Sequence, residues 1–163
     1  MTQQQATGGS LLMDCLIGLG AYKGFGVPGE SYLAVLDAMY DRADKFELIL
    51  CRHEGGAAYM AEAWGKLTGT PGICFVTRGP GATNASIGIH TAMQNSSPML
   101  VFVGQVGTDM RGREAFQEID YTHYFGKVAK WVCEINDADR IPELIARAWT
   151  TALSGRPGPV ILA

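Results

Sequence analysis

Three segments of the chain carry side chains that could do chemistry, and each follows a short apolar run. Residues 52–56 place the carboxylate of Glu54 directly before two glycines. Residues 77–84 contain a Gly-Pro-Gly turn, and residues 104–117 carry Gln105 and Gln117. A carboxylate can hold or release a proton, and a turn that opens a helix presents backbone N–H groups to an anion or a polar ring edge. A glutamine beside a pocket can donate to a developing oxyanion.

Each segment taken alone also has a purely structural explanation. Glu54 fits the first turn of a helix, where the helix dipole favours a negative charge. The Gly-Pro-Gly turn fits a tight strand–helix connection, and the glutamines fit a solvated loop. Residues 77–84 match neither the Walker phosphate loop nor the dinucleotide fingerprint. The three histidines lack the spacing of a metal site.

The elements that must position these segments alternate between strands and helices. Apolar runs predict strands at 47–51, 72–77, 98–106 and 160–162, the first of them buried. Helical periodicity predicts helices at 11–19, 33–40, 54–67, 82–94 and 141–153, with Ser10 and Ser31 as possible caps of the first two. The glycines at 24, 26 and 29 predict a break in the chain, and residues 111–125 are expected to be irregular.

This alternation predicts an α/β fold, a parallel β-sheet with helices on both faces. Ligands of such sheets bind outside the carboxyl ends of the strands, where residues 52–56, 78–84 and 104–117 are expected. The length of 163 residues fits one domain.

Composition narrows the class of protein. The formal net charge of −3 excludes the basic footprint of a nucleic-acid-binding protein. The 47% hydrophobic content suits a packed core, but no apolar run approaches the ~20 residues that cross a bilayer. The start of the chain is polar, and the four cysteines are scattered without a CxxC pair. These features predict a cytoplasmic protein with reduced thiols and no membrane or nucleic-acid partner.

Six motifs in order carry a family resemblance that no single motif would. They are Gly-Val-Pro-Gly at 26–29, Arg-His-Glu at 52–54, Gly-Pro-Gly-Ala-Thr-Asn at 79–84, Gly-Gln-Val at 104–106, Ala-Phe-Gln-Glu at 115–118 and Gly-Arg-Pro-Gly-Pro-Val at 155–160. The set resembles the N-terminal, pyrimidine-binding domain of acetolactate synthase-like enzymes that use thiamin diphosphate (ThDP). This family also includes pyruvate oxidase and benzoylformate decarboxylase. The resemblance covers residues 11–163.

The resemblance implies a role for each matching residue. Glu54 would be catalytic: it would hydrogen-bond N1′ of the aminopyrimidine and favour the imino form that removes the C2 proton of the cofactor. Gln117 would be a second catalytic residue, and Phe116 would reach with it toward a 2-oxo acid substrate. The remaining cofactor-binding residues would be Val27, Pro28 and Gly29 beside the pyrimidine and Thr77, Pro80, Gly81 and Asn84 around the ring.

The chain departs from the family pattern at two places near the expected pocket. Arg78 stands where acetolactate synthases usually have Ser, and Arg113-Glu114 stands where they usually have Thr-Asp. The resemblance therefore leaves the substrate open between carboligation, decarboxylation and oxidation, and leaves FAD binding open.

The family's Mg²⁺-diphosphate motif, Gly-Asp-Gly followed by Asn-Asn, does not occur in the chain. We therefore expect Mg²⁺ on a separate diphosphate-binding domain, no metal ligands here, and no activity from this chain alone. The chain would be an excised domain of a longer enzyme or a natural small subunit of a two-subunit ThDP decarboxylase. A non-catalytic dimerisation or regulatory module of the same fold is the alternative from another class. We also expect a homodimer, with the small residues Gly55, Gly56, Ala57, Ala58 and Ala61 forming a close helix contact between chains.

Overall fold

The computed structural model describes residues 6–163 and contains one six-stranded sheet in which every pairing is parallel. The order across the sheet is β2-β1-β3-β4-β6-β5. The strands are β1 (Lys23–Gly26), β2 (Glu47–Leu50), β3 (Gly72–Val76), β4 (Met99–Val103), β5 (Trp131–Cys133) and β6 (Pro159–Leu162).

Helices cover both faces of this sheet. They are α1 (Gly8–Gly18), α2 (Leu33–Tyr40), α3 (Glu54–Thr68), α4 (Pro80–Asn95), α5 (Tyr121–Phe125) and α6 (Ile141–Leu153). Residues of α1, α2 and α6 form one hydrophobic core with the sheet, and residues of α3, α4 and α5 form the other. The predicted fold class, a parallel sheet between two layers of helices, is confirmed.

Burial explains why the central strands carry no polar–apolar alternation. All five residues of β3 and all five of β4 are buried, because helices pack on each face. The edge strand β2 was expected to be buried but has two exposed and two half-buried residues. It lies at the border of the sheet and pairs only with β1 among the described strands.

Two strands, one short helix and two helix caps differ from the sequence prediction. The helix is α5, which lies within residues 111–125, the segment expected to be irregular. The segment expected to break the chain contains β1, and β5 was not predicted. Thr7, not Ser10, caps α1 by accepting a hydrogen bond from the Ser10 amide. Ser31 caps nothing: it lies in the 3₁₀ turn before α2, whose N-cap residue is Tyr32.

None of the helices in the described part of the chain combines the length and apolarity needed to span a bilayer.

Candidate active site

The first residue of α3 is Glu54, which reaches the carboxyl end of the sheet through the short link that follows β2. His53 caps this helix: its Nδ1 accepts a hydrogen bond of 3.0 Å from the Gly55 amide. The Glu54 side chain is neither buried nor fully exposed. Its Oε2 accepts a hydrogen bond of 3.0 Å from Asn84 Nδ2, whereas Oε1 accepts none from residues 6–163. The carboxylate is therefore oriented by one partner and keeps one oxygen free.

The turn between β3 and α4 brings Asn84 to this carboxylate. Pro80 begins α4, and Asn84 follows one helical turn later. Gly79 adopts a φ of 62° and a ψ of −114°. Residues other than glycine strongly disfavour this conformation. A methyl group on Gly81 would lie 2.8 Å from Thr77 Cγ2 and 3.3 Å from Glu54 Oε1. The two glycines thus let the turn close, Gly79 against Gln117 and Gly81 against Thr77 and the free carboxylate oxygen.

A hydroxyl pair joins this turn to the loop that follows β1. Ser31 Oγ and Thr77 Oγ1 lie 2.7 Å apart, and the Arg78 amide donates to Ser31 Oγ at 3.1 Å. A methyl group on Gly29 would lie 2.5 Å from Thr77 Cβ, so only a glycine permits this approach. Sequence reasoning gave Ser31 no role here because its partners lie more than 40 positions along the chain.

The predicted cofactor-binding residues at 27–29 therefore reach the same end of the sheet as Thr77. The Val27 carbonyl accepts a 2.5 Å hydrogen bond from the Tyr32 hydroxyl, which fixes the bend of this loop. Pro28 is exposed at its tip.

The loop that follows β4 is organised by side chains. Gln105 Nε2 donates to the Ile119 carbonyl at 3.1 Å and to Glu134 Oε1 at 2.7 Å. Arg111 Nη2 lies 2.6 Å from Glu134 Oε2. The amide of Gln105 is thus engaged in holding the loop, which favours its structural explanation.

Glu118 stabilises the tip of this loop. Its two oxygens accept hydrogen bonds from the backbone amides of Gly112 and Ala115, at 2.6 and 3.1 Å. The Gly112 bond, followed by the Ala115 bond and the nearby Arg111 charge, holds the pKa of the Glu118 carboxyl below its usual range despite some desolvation. Glu118 belongs to the Ala-Phe-Gln-Glu motif, and in the structure it supports the loop.

Phe116 and Gln117, predicted at the substrate end, lie beside the Gly79 turn. Gln117 has a φ of 65°, and a methyl group on Gly79 would lie 2.7 Å from its Cβ. Phe116 is 74% exposed. The structure therefore brings Glu54, Asn84 and Gly81 into direct proximity and places Gln117 on the other side of the turn, against Gly79.

The dimer-contact residues predicted on α3 pack mainly inside the chain. Ala57, Ala58 and Ala61 are fully buried, and a methyl group on Gly88 of α4 would lie 2.5 Å from Ala58 Cβ. Small residues are needed here because α3 and α4 approach closely within one chain. Gly56 is the one exposed member of the predicted set. The buried members thus serve the contact between α3 and α4, and the homodimer stays a prediction.

Within residues 6–163, no cluster of three or more His, Cys, Asp or Glu side chains could hold a metal ion.

The structure thus places a carboxylate at a helix start beside an amide partner and a glycine turn. Residues 6–124 match the family described as thiamine pyrophosphate enzyme, N-terminal TPP binding domain. The chain belongs to this family of ThDP-binding domains.

The relatives in this comparison are acetolactate synthases. The chain is 40% identical over 156 residues to the mitochondrial acetolactate synthase catalytic subunit of Aspergillus candidus, covering 96% of this chain and 22% of that protein. It is 40% identical to the large subunit of Lactococcus lactis, covering 97% and 27%. For the isozyme 3 large subunit of Escherichia coli the identity is 38%, covering 98% and 28%. The chain thus spans about a quarter of the length of these relatives.

Proposed function

We propose that this domain binds the aminopyrimidine end of ThDP in an enzyme that acts on a 2-oxo acid, and that Glu54 activates the cofactor through N1′. The observation that carries the proposal is the Glu54–Asn84 pair. One carboxylate oxygen is bound by Asn84. The other accepts no hydrogen bond within residues 6–163 and lies beside the backbone of Gly81, which has no side chain to cover it.

The residues present fit the group. A pyrimidine ring nitrogen needs one carboxylate oxygen in a fixed direction, which Asn84 provides by holding the other oxygen. A flat ring needs close approach to backbone, and Gly81 presents backbone without a side chain beside the Glu54 carboxylate. When bound, ThDP supplies the acidic thiazolium C2–H group and the 4′-amino group on which this chemistry depends.

Glu54 then holds a proton at N1′ and sets the protonation of the ring. Asn84 keeps the carboxylate aimed, and the Ser31–Thr77 hydroxyl pair keeps the turn closed, so that these residues would hold the ring when it binds. We propose Val27, Pro28, Gly29, Thr77 and Pro80 as further cofactor contacts, and Phe116 and Gln117 as substrate-side residues.

Replacing Glu54 with Gln in the complete enzyme tests the proposal. Glutamine has nearly the same size, so folding should be retained. It cannot exchange a proton with N1′ as a carboxylate does, and turnover should fall by at least about 10²-fold. Exchange of the cofactor C2 proton for deuterium, followed by NMR, should slow in parallel because the lesion precedes substrate attack.

The matched control is Glu143→Gln on α6, an exposed carboxylate whose partner is Arg140. It should leave both rates unchanged. Normal C2 exchange in Glu54→Gln would show that Glu54 is not the activating group, and would favour a non-catalytic module of the same fold.

We propose that a diphosphate-binding domain, in the same chain or in a partner subunit, supplies Mg²⁺ and the phosphate contacts. The phosphates carry most of the charge of ThDP, and Mg²⁺ binds them through oxygen ligands. Residues 1–163 alone should show no turnover and only weak ThDP binding by calorimetry. Micromolar, Mg²⁺-dependent binding of ThDP to residues 1–163 alone would contradict the proposal that two domains share the cofactor site.

We further propose a homodimer that uses the outer face of α3 and α4. Both helices leave large apolar side chains exposed: Tyr59, Met60 and Leu67 on α3 and Ile87 on α4 are 41%, 47%, 85% and 55% exposed. A two-fold copy packed on these helices would remove this apolar area from water.

Light scattering should show a dimer, and Met60→Glu should shift it toward the monomer. Tyr40→Glu is the matched control, because Tyr40 is 83% exposed but lies on α2, on the other face of the sheet. A wild-type monomer at high concentration would contradict the dimer.

A further inference from the structure

We propose that Arg78 is a positioning residue that fixes Phe116 and Gln117 at the substrate end by tying their loop to the turn at Glu30. The structural part concerns this chain alone, and its consequence for the substrate rests on the proposed function.

Arg78 connects three segments that are distant in sequence. Its Nε donates to the Phe116 carbonyl at 3.2 Å, and its Nη2 donates to Glu30 Oε1 at 2.9 Å. Its backbone amide donates to Ser31 Oγ. The Arg78 side chain is 16% exposed, whereas Glu30 is 70% exposed. A guanidinium group presents its donors in a rigid fork, which suits two acceptors at a fixed separation.

Gln117 packs against Gly79, but the rest of the loop gives the Phe116 backbone little support. Glu118 binds the Gly112 and Ala115 amides, on one side of Phe116. In residues 6–163, the bond from Arg78 is the one hydrogen bond that a side chain makes to the backbone of residues 116–117. Glu114 and Gln117 have φ values of 53° and 65°, which side-chain-bearing residues rarely adopt. The tip therefore needs an outside contact to keep its conformation.

Arg78 also forms part of the wall of a cavity of about 250 Å³. Its apolar wall comes from Val106, Met110, Ala115 and Phe116, and its polar wall from Arg78 and Gln105. Because the Arg78 bond sets the position of Phe116, it sets the shape of this cavity. We infer that Arg78 controls which 2-oxo acid side chain fits beside Phe116.

Hydrogen exchange in the complete enzyme, without substrate, tests the structural part. Arg78→Met should raise amide exchange at residues 115–118 about tenfold, the effect of losing one hydrogen bond to a charged group. Arg113→Met is the matched control: it removes the same charge from the exposed loop, and the Arg113 side chain makes no hydrogen bond within residues 6–163. It should leave exchange unchanged. Unaltered exchange in Arg78→Met, or an equal rise in both variants, would overturn the proposal.

Steady-state kinetics tests the consequence. Arg78→Met should raise KM for the 2-oxo acid about tenfold and change kcat less than about threefold, since the lost contact positions the substrate wall. The KM for ThDP should stay unchanged. Arg78→Lys keeps the charge but lacks the fork, so it should restore only part of the loss. Should Arg78→Met fail to fold, Glu30→Gln, which weakens the exposed half of the link, should show smaller changes of the same kind.

The outcomes separate this proposal from the proposed function. A wild-type enzyme without ThDP-dependent turnover would contradict the proposed function and leave the exchange result standing. A normal KM in Arg78→Met, with raised loop exchange, would overturn the role of Arg78 in substrate fit.

Discussion

The turn that follows β3 and the loop that follows β4 leave neighbouring strands of one sheet, but different forces hold them. The turn is held mainly by close packing around Gly79 and Gly81, where a methyl group would lie within 2.8 Å of Gln117 or Thr77. The uncharged hydroxyl groups of Ser31 and Tyr121 bind its amides. The loop is held by side chains, above all Glu118 on two backbone amides and Arg111 on Glu134.

At this edge of the sheet the turn is therefore the rigid region, and the loop is the adjustable one. Close packing does not depend on salt and tolerates almost no added volume. Hydrogen bonds from ionised side chains weaken when pH removes the charge or when salt screens it. They leave space around the backbone, so substitutions there are tolerated. The turn fixes Asn84 against Glu54, while the loop carries the residues proposed to meet the substrate.

The largest expected effect comes from Gly79→Ala, where the two regions touch. The methyl group would lie 2.7 Å from Gln117 Cβ and 2.9 Å from the Gln117 carbonyl oxygen, at a φ of 62°. Conformational strain and overpacking together should lower the free energy of unfolding by about 3 kcal/mol. Urea denaturation measures this loss.

Gly112→Ala is the control within the loop. Gly112 has a φ of 71°, but a methyl group there would meet nothing within 4 Å. It should therefore pay the conformational cost alone, about 1 kcal/mol. Equal losses in the two variants would show that close packing does not distinguish the turn from the loop.

A smaller effect is expected from Tyr121→Phe, which removes a hydrogen bond between a side chain of α5 and the turn after β3. The buried Tyr121 hydroxyl accepts a 2.9 Å bond from the Gly79 amide. Leaving that buried amide without a partner should cost about 1–2 kcal/mol in thermal or urea denaturation. Tyr124→Phe, on the same helix, should change stability by less than about 0.5 kcal/mol, since Tyr124 is 43% exposed. A loss of stability in Tyr121→Phe no larger than this would show that the Tyr121 hydroxyl does not stabilise the turn.

The smallest effect is expected when the pH is lowered, and it should be confined to the loop that follows β4. The folded pKa of Glu118 lies below its ordinary value of 4.5. Its carboxylate therefore adds stability above about pH 4.5, and this contribution disappears as the pH falls through the lower folded pKa. Hydrogen exchange of residues 112–118 should differ between wild type and Glu118→Gln at pH 7 and converge in acid. A difference that persists in acid would show that charge does not hold the loop.

The sequence predicted the turn that follows β3 better than the loop that follows β4. Strand–turn–helix signals are local, so Glu54 and Asn84 could be assigned to the starts of α3 and α4, and the structure joins them. Both helix starts follow strands whose carboxyl ends share one edge, which parallel pairing requires.

Strand β1 was missed because glycine is depleted in strands. The structure shows why this strand needs its glycines. A methyl group on Gly24 would lie 2.9 Å from the Phe46 ring, and one on Gly26 would lie 2.6 Å from the Phe75 carbonyl oxygen. Such contacts depend on residues far away in the chain, and no local pattern encodes them.

Buried polar contacts were missed for the same reason. Glu62 is 7% exposed, and its Oε1 accepts hydrogen bonds from Asn95 Nδ2 and Ser97 Oγ. In the sequence it is one of several charged positions of a helix. Its burial becomes visible only once α3 and α4 are packed together.

The central place of β3 has a consequence for the order in which the molecule assembles. Every pairing in the sheet is parallel, so each strand meets its neighbour through a crossover rather than a hairpin. Chain entropy is lost before such contacts form, which makes them slow. Phe25 of β1 pairs with Cys74 of β3, and α4 begins only after β3. The contact between Glu54 and Asn84 therefore requires β3 in its place in the sheet, and a state that lacks β3 would carry the carboxylate without the amide that aims it.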